Sequence, residues 1–159
     1  MTEAAKLVLQ SSLGRELSTE EASILSDLLL SRELADGEFL ITEGATDDSL
    51  HILLKGKLEV VKHTGADGIA SLAVLREGDL AGELSFIDGQ VHTVGLRALC
   101  DTQVLSLKRE SFEKIIEKHP WIMYKVMRAI ARSTHQILHR MNSDSIELNN
   151  YIFKQHGRY

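Results

Sequence analysis

The 159-residue chain has one cysteine, Cys100, and one proline, Pro120. A lone cysteine forbids an internal disulfide, and a cytoplasmic home is the simplest expectation. Cys100 itself reads as a small buried or half-buried residue rather than a redox sensor. No apolar run approaches the roughly 20 residues of a membrane-spanning helix. The N-terminus has no basic region followed by an apolar stretch, so no signal peptide is expected. A Walker-type loop, a nucleophile with its base and a working pair of carboxylates are all missing, which leaves an enzyme as the least supported class. His135 and His139 stand four apart on one helix face, but no further ligand of matching spacing follows, so no metal site is expected.

The chain is 43% hydrophobic and 26% charged, the balance of a single soluble domain spanning residues 1–159. The net charge of −5 is uneven. Residues 120–159 hold six Lys and Arg against two Asp and Glu, or +4, so the first 119 residues carry −9. An acidic body repels nucleic acid. The basic tail could suit an acidic partner. Alternatively, Lys125, Arg128, Arg132 and Arg140 pair with the acidic body of the same chain.

Periodicity divides the chain into three parts. A helical lead-in covers about residues 1–32, with weak helix to about Gln10. Ser18 and Glu21 then form a capping-box signature ahead of Ile24, Leu25, Leu28 and Leu29, which predicts a helix from about Thr19 to Leu30. From about residue 33 to 107 the pattern becomes short alternating runs: Phe39 and Ile41, then Leu50, Ile52 and Leu54, then Leu58 and Val60. Glu43-Gly44, Lys55-Gly56, His63 to Gly68 and Glu77-Gly78-Asp79 separate the runs as turns. Ile69–Leu75, Thr93–Ala98 and Gln103–Leu107 read as further strands. Short strands with glycine turns and no intervening helices indicate an antiparallel jelly roll, making the chain mainly β with flanking helices.

Helices return over about residues 109–155. Phe112, Ile115 and Ile116 share one face, and Pro120 opens a long final helix. There Met123, Met127, Ile130, Thr134, Ile137, Met141, Asp144 and Leu148 follow an a/d spacing, with a bend or stop expected near Asn142-Ser143-Asp144. A helix this long projects past a small domain, so a homodimer through it is expected.

The segment Gly82-Glu83-Leu84-Ser85-Phe86-Ile87-Asp88-Gly89-Gln90-Val91-His92-Thr93 carries the most chemistry. A Gly lets backbone approach a ligand closely. A carboxylate follows it, and the start of a short helical turn offers free N–H groups to an anion. This segment, with Gly37-Glu38, Glu43-Gly44, Leu54-Lys55-Gly56-Lys57-Leu58 and Gly78-Asp79 in that order, resembles the cyclic-nucleotide-binding domain. The likeness runs from about Leu17 to Met141 and is nearest the sensory half of bacterial regulators of the catabolite activator type. It implies a jelly roll (a double-stranded β-helix) with a C-terminal dimerisation helix. It also implies a regulatory module with cyclic AMP or cyclic GMP as ligand.

By the same resemblance, Gly82 and Glu83 sit against the sugar-phosphate, with the carboxylate on a ribose hydroxyl. Leu84 and Ser85 give backbone contacts to the phosphate. Arg132, Thr134 and His135 are the candidates for the base. The family's Arg-Ser/Thr pair falls on His92-Thr93, so the hydroxyl is kept and the permanent cation is replaced by a residue with one donor. His92 is then a phosphate partner, a pH sensor, or a polar residue in a loop that has lost its ligand. With His92, binding is expected to be weak; an empty, dimerising scaffold, or a pocket for another small anion or an apolar ligand, is the alternative. Nothing from Asn142 to Tyr159 resembles a recognition helix, so no direct DNA binding is expected.

Overall fold

The computed structural model describes residues 1–66 and 68–156, with side chains up to residue 144. Thr2 caps helix α1 (Glu3–Gln10) by accepting from the Ala5 N–H, and a 3-10 turn follows at Ser12–Gly14. Ser18 and Glu21 form the capping box of α2 (Thr19–Ser26), each side chain bonded to the other's backbone N–H. This helix ends four residues earlier than its apolar spacing predicts. Leu29 and Leu30 are taken by strand β1 (Leu29–Leu34), where they pair with Leu107 and Ser106. Tertiary pairing here overrides local helical periodicity, and the roll begins at residue 29 rather than 33.

Seven strands follow: β2 (Phe39–Ile41), β3 (Leu50–Lys55), β4 (Leu58–His63), β5 (Ile69–Leu75), β6 (Leu80–Ala81), β7 (Gly95–Ala98) and β8 (Thr102–Leu107). They form two four-stranded sheets, ordered β1-β8-β3-β6 and β2-β7-β4-β5, in which every pairing is antiparallel. The expected strand from Thr93 starts at Gly95, because residues up to Val94 belong to the loop that returns from helix α3 (Glu83–Asp88). Cys100 lies exposed in the β7–β8 turn, which corrects the expectation of burial.

The first sheet is covered on both faces along β3 and β8, while most of its edge strand β1 is exposed. Leu34, Leu53, Ala81 and Val104 meet Ile41, Leu58, Leu75 and Leu96 of the second sheet inside the roll. On its other face Leu50, Ile52, Leu105 and Leu107 pack beneath Val8, Leu25, Phe112 and the inner face of the last helix. The strands therefore read as continuous apolar runs where both faces are covered, as in β3.

Helix α4 (Arg109–Glu113) precedes α5 (Pro120–His156), which begins at the proline as its fixed φ favours. The helix runs on through Asn142, Ser143 and Asp144 with no stop, because nothing in that trio removes a backbone donor. Ile122, Val126, Ala129 and Ile130 are buried against the first sheet and lead-in helices. Met123, Met127 and Ile137, members of the expected intermolecular seam, pack against this same domain. The seam is thus covered by its own roll from Met123 to Met141, while Leu148 lies outside the described side chains.

The expected intrachain pairing of the basic helix holds at every position named for it. Lys125 meets Glu21 at 2.8 Å, Arg128 and Arg132 both reach Glu16, at 3.1 and 2.8 Å, and Arg140 meets Asp79 at 2.6 Å.

Two left-handed glycines separate conformation from space. Gly56 has φ +92° and an added Cβ would lie 2.4 Å from Thr102 Oγ1, whereas Gly37 has φ +84° and open surroundings. We expect Gly37→Ala to cost about 1–2 kcal/mol, the left-handed strain alone. Gly56→Ala should cost about 1–3 kcal/mol more, since Thr102 and the backbone beside it must shift. Urea unfolding of both variants measures the difference, and equal losses would contradict it.

Candidate functional site

Gly82 shapes the site. It sits at φ +75°, ψ +13° as the N-cap of α3, and a Cβ there would meet the Ser49 carbonyl oxygen at 2.8 Å. Only glycine takes this position without displacing β3. The turn aims Glu83, Leu84 and Ser85 at the start of a helix whose first N–H groups have no intrahelical carbonyl. Glu83 is turned inward, and its Oε1 accepts a hydrogen bond from Thr134 Oγ1 of α5 at 3.4 Å. Burial pushes the Glu83 carboxyl above the ordinary carboxylate range, and the nearby Asp79 charge adds to this. Backbone, Thr134 and His92 act in the opposite sense.

His92 is 8% exposed. Its Nε2 donates to the Asp47 carbonyl oxygen and its Nδ1 lies 3.2 Å from Ser85 Oγ. A carbonyl only accepts, so Nε2 carries a hydrogen, while Nδ1 shares a hydrogen bond with the Ser85 hydroxyl. Both nitrogens are therefore engaged within the protein, and His92 pins the loop after α3 to the β2–β3 connection.

Asp47 is the other end of that pin. Its Oδ2 lies 3.0 Å from His51 Nε2, and His51 Nδ1 lies 2.7 Å from Ser106 Oγ. The His51 bond, with help from the Ser49 N–H, holds the Asp47 carboxyl down at about 2. Sequence reading missed this chain of groups. Its signal was a histidine inside the apolar alternation Leu50, Ile52, Leu54, on the opposite face of β3.

Glu83, Ser85, His92 and Thr93 border one cavity of about 420 Å³ together with Gly82 and Leu84. Its walls are apolar: Ile41, Val60, Leu75 and Leu96 from the second sheet, Leu80 below, and Ile137, Leu138 and Met141 from α5. The structure therefore brings six of the nine expected ligand residues to the cavity, and a seventh, Thr134, bonds Glu83 from α5. Arg132 is on another face, bonded to Glu16, and His135 borders a separate groove with Asp79, His139 and Arg140. Arg97, the other cation near the cassette in sequence, pairs with Glu59 at 2.8 Å. Among the described residues no Lys or Arg borders the cavity, and no group of three His, Cys, Asp or Glu could hold a metal ion.

With this geometry in place, the family follows. Residues 31–119, more than half of the chain, match the cyclic nucleotide-binding domain, and the chain belongs to that family. A cyclic nucleotide-binding domain from Methylobacillus flagellatus superposes with a TM-score of 0.79 at 23% identity, covering 91% of this chain and 82% of that one. The catabolite activator protein of Thermus thermophilus superposes at 0.68 with 24% identity, over 90% of this chain and 64% of that one. Lysophospholipase nte1 of Aspergillus fumigatus is 25% identical over 131 residues, 78% of this chain but 9% of that protein. The chain thus spans about a tenth of the curated relatives it matches, within a regulatory, non-catalytic fold. No described helix is long and apolar enough to cross a membrane.

The burial of Glu83 has a measurable consequence. Its carboxyl is harder to ionise folded than unfolded, so its contribution favours folding below the unfolded value and is lost as pH rises through the folded one. We expect Glu83→Gln to melt higher than the parent at pH 7, with the gap closing as pH falls through the carboxylate range. A gap independent of pH between 7 and 3 would refute the assignment.

Proposed function

We propose that this domain is a regulatory ligand-binding module in which a small molecule in the cavity shifts α5. The contact between Glu83 and Thr134 carries the reading. The cassette carboxylate and the last helix share a hydrogen bond, and Ile137, Leu138 and Met141 wall the same space. A ligand that binds Glu83 competes with Thr134, so occupancy and helix position are linked.

The family ligand, cyclic AMP or cyclic GMP, finds the backbone donors of the Gly82 turn and the Glu83 carboxylate here. It finds no cation. A charge-assisted contact contributes about 1.5–3 kcal/mol, so its loss weakens affinity roughly tenfold to a hundredfold. His92 can meet a phosphate only by giving up Asp47 or Ser85. Thr93 is exposed on the cavity rim and is the better place to install a charge. We expect millimolar cyclic AMP to raise the melting midpoint slightly in the parent and clearly in Thr93→Arg, since ligand held by the native state alone stabilises it. Nitroxide labels on the native Cys100 and on His139→Cys should then report a changed separation in Thr93→Arg. Bound ligand with an unmoved helix would defeat the regulatory reading.

The homodimer reading moves to an exposed stripe of α5 that ends at Leu138, on the cavity rim. Trp121, Tyr124, Arg128, Ala131, His135 and Leu138 recur at alternating steps of three and four. Three of them are large and exposed: Trp121 at 67%, Tyr124 at 49% and Leu138 at 52%. This stripe supports a symmetric helix pair. Ala131→Glu, at its centre and away from the cavity, should give monomer by light scattering with the fold intact. Ile137→Asp should instead destabilise the domain, because that side chain packs on the roll. A parent already monomeric at high micromolar concentration would rule the dimer out. The scaffold alternative draws on the loop pinned at His92 by Asp47 and Ser85. We also propose that the domain reads no DNA sequence, given its acidic body, and place it in the bacterial cytoplasm.

A further inference from the structure

The cavity differs in its charge from a phosphate site. The only Asp, Glu, Lys or Arg side chains lining it among the described residues are Glu83 and Asp88, both acids. The arginines closest in sequence or structure are committed elsewhere: Arg97 to Glu59, Arg132 to Glu16 and Arg140 to Asp79. An anion entering here meets like charge at short range and partly out of water, while Lys62, the cation beside the rim, is exposed and already bonded to the Thr93 carbonyl oxygen at 3.0 Å and to Glu43 at 3.4 Å.

The rest of the site favours a different guest. The volume, about 420 Å³, lies in the range of small-molecule pockets, which are mostly apolar with a few placed polar groups. Its walls are aliphatic. The entrance is aliphatic too, with Leu84 67% exposed, Val91 53% and Leu138 52%. Such a cluster of exposed apolar side chains around a cavity marks a contact site for apolar matter. Inside, the one carboxylate is under-used. Glu83 offers several acceptor positions, and its one side-chain partner from another element, Thr134, is at the long distance of 3.4 Å. A buried carboxylate with a long bond is improved by a better donor.

We propose that the cavity takes an uncharged, largely apolar molecule bearing a single hydroxyl or N–H donor. The donor sits on Glu83 and the apolar body lies between the second sheet and α5. This rests on reading the cavity as the ligand site of a regulatory module, and it names the class of ligand that site prefers.

Two dyes that share their rings test the charge requirement on the full chain. N-phenyl-1-naphthylamine is uncharged with one N–H, and 1-anilinonaphthalene-8-sulfonate adds a sulfonate. Fluorescence titration at pH 7 should give the uncharged dye at least roughly tenfold tighter binding, the effect of one unfavourable charge contact. Glu83→Gln removes the charged acceptor and should weaken the uncharged dye about tenfold while narrowing its margin over the sulfonate. Thr93→Arg, which puts a cation on the cavity rim, should strengthen the sulfonate dye and cyclic AMP. Ala73→Leu, which fills the cavity wall, should weaken both dyes, and circular dichroism establishes that each variant is folded.

Equal or tighter binding of the sulfonate dye or cyclic AMP by the parent would overturn the proposal, as would indifference of the uncharged dye to Glu83→Gln and Ala73→Leu, or no binding of it at all. The nitroxide pair at Cys100 and His139→Cys separates the two readings. Uncharged dye bound with an unmoved helix keeps the ligand class and defeats the regulation. Cyclic AMP bound tightly by the parent with a moved helix keeps the regulation and defeats the ligand class.

Discussion

The seat of α5 on the first sheet is the constraint from which the site follows. Ile122, Val126, Ala129 and Ile130 are almost fully withdrawn from water there. At roughly 1.5–3 kcal/mol for each large aliphatic side chain, this burial outweighs the flanking ion pairs, because partly exposed pairs contribute about 0–1 kcal/mol each. The pairs do something else. Lys125 on Glu21, Arg132 on Glu16 and Arg140 on Asp79 fix the rotation of the helix about its axis. Once that rotation is set, Thr134 must face Glu83, and Ile137 and Met141 must face the cavity. A helix held firmly at its start and by single polar contacts further on can pivot over the cavity without leaving its seat.

The change from a family cation to His92 is compensated locally. An arginine here would have to be neutralised by a ligand or stay buried and unpaired, and buried unpaired charge is costly. An imidazole carries no permanent charge and takes both partners from the protein, Asp47 and Ser85. The loop is then closed whether or not a ligand is present. On the proposed reading, the residue that weakens the site for phosphate also closes the loop with partners from the protein itself. What remains is Glu83, a buried carboxylate whose side-chain bond to Thr134 is long, at 3.4 Å, so the polar group most open to a ligand lies at the carboxylate end of the cavity.

Much of the fold was legible because local and tertiary demands agree. The capping box at Ser18 and Glu21, the start at Pro120, the glycine turns and the two-residue alternation each have a local physical cause that survives folding. The misreadings fall where tertiary pairing decides. Leu29 and Leu30 continue a helical spacing, yet the long ladder with β8 claims them. The seam through Met123, Ile130 and Ile137 has heptad spacing, but spacing cannot say whether a stripe meets another chain or its own sheet. The cassette was legible as six residues that share one cavity. Arg132 and His135 were not excludable, since their direction depends on the rotation of α5, which Glu16, Glu21 and Asp79 set from far away in sequence.

Affinity and response are tied in this arrangement through one carboxylate. If Glu83 keeps Thr134 while binding a ligand, the helix does not move and the ligand gains only apolar contact. If the ligand displaces Thr134, it gains a charge-assisted bond and the helix loses a weak one. The exchange is favourable because the lost bond is long, at 3.4 Å, and the hydroxyl left behind can turn to an i−4 carbonyl of its own helix. Ile137 and Met141 oppose the motion, since they pack on the roll and on the cavity walls. An apolar ligand body that fills the cavity replaces those contacts as the helix leaves, so the opposing cost falls as the ligand's apolar surface grows. A charged ligand body cannot make that replacement. On the proposed reading, the apolar walls that select the ligand also set how far its binding can drive α5.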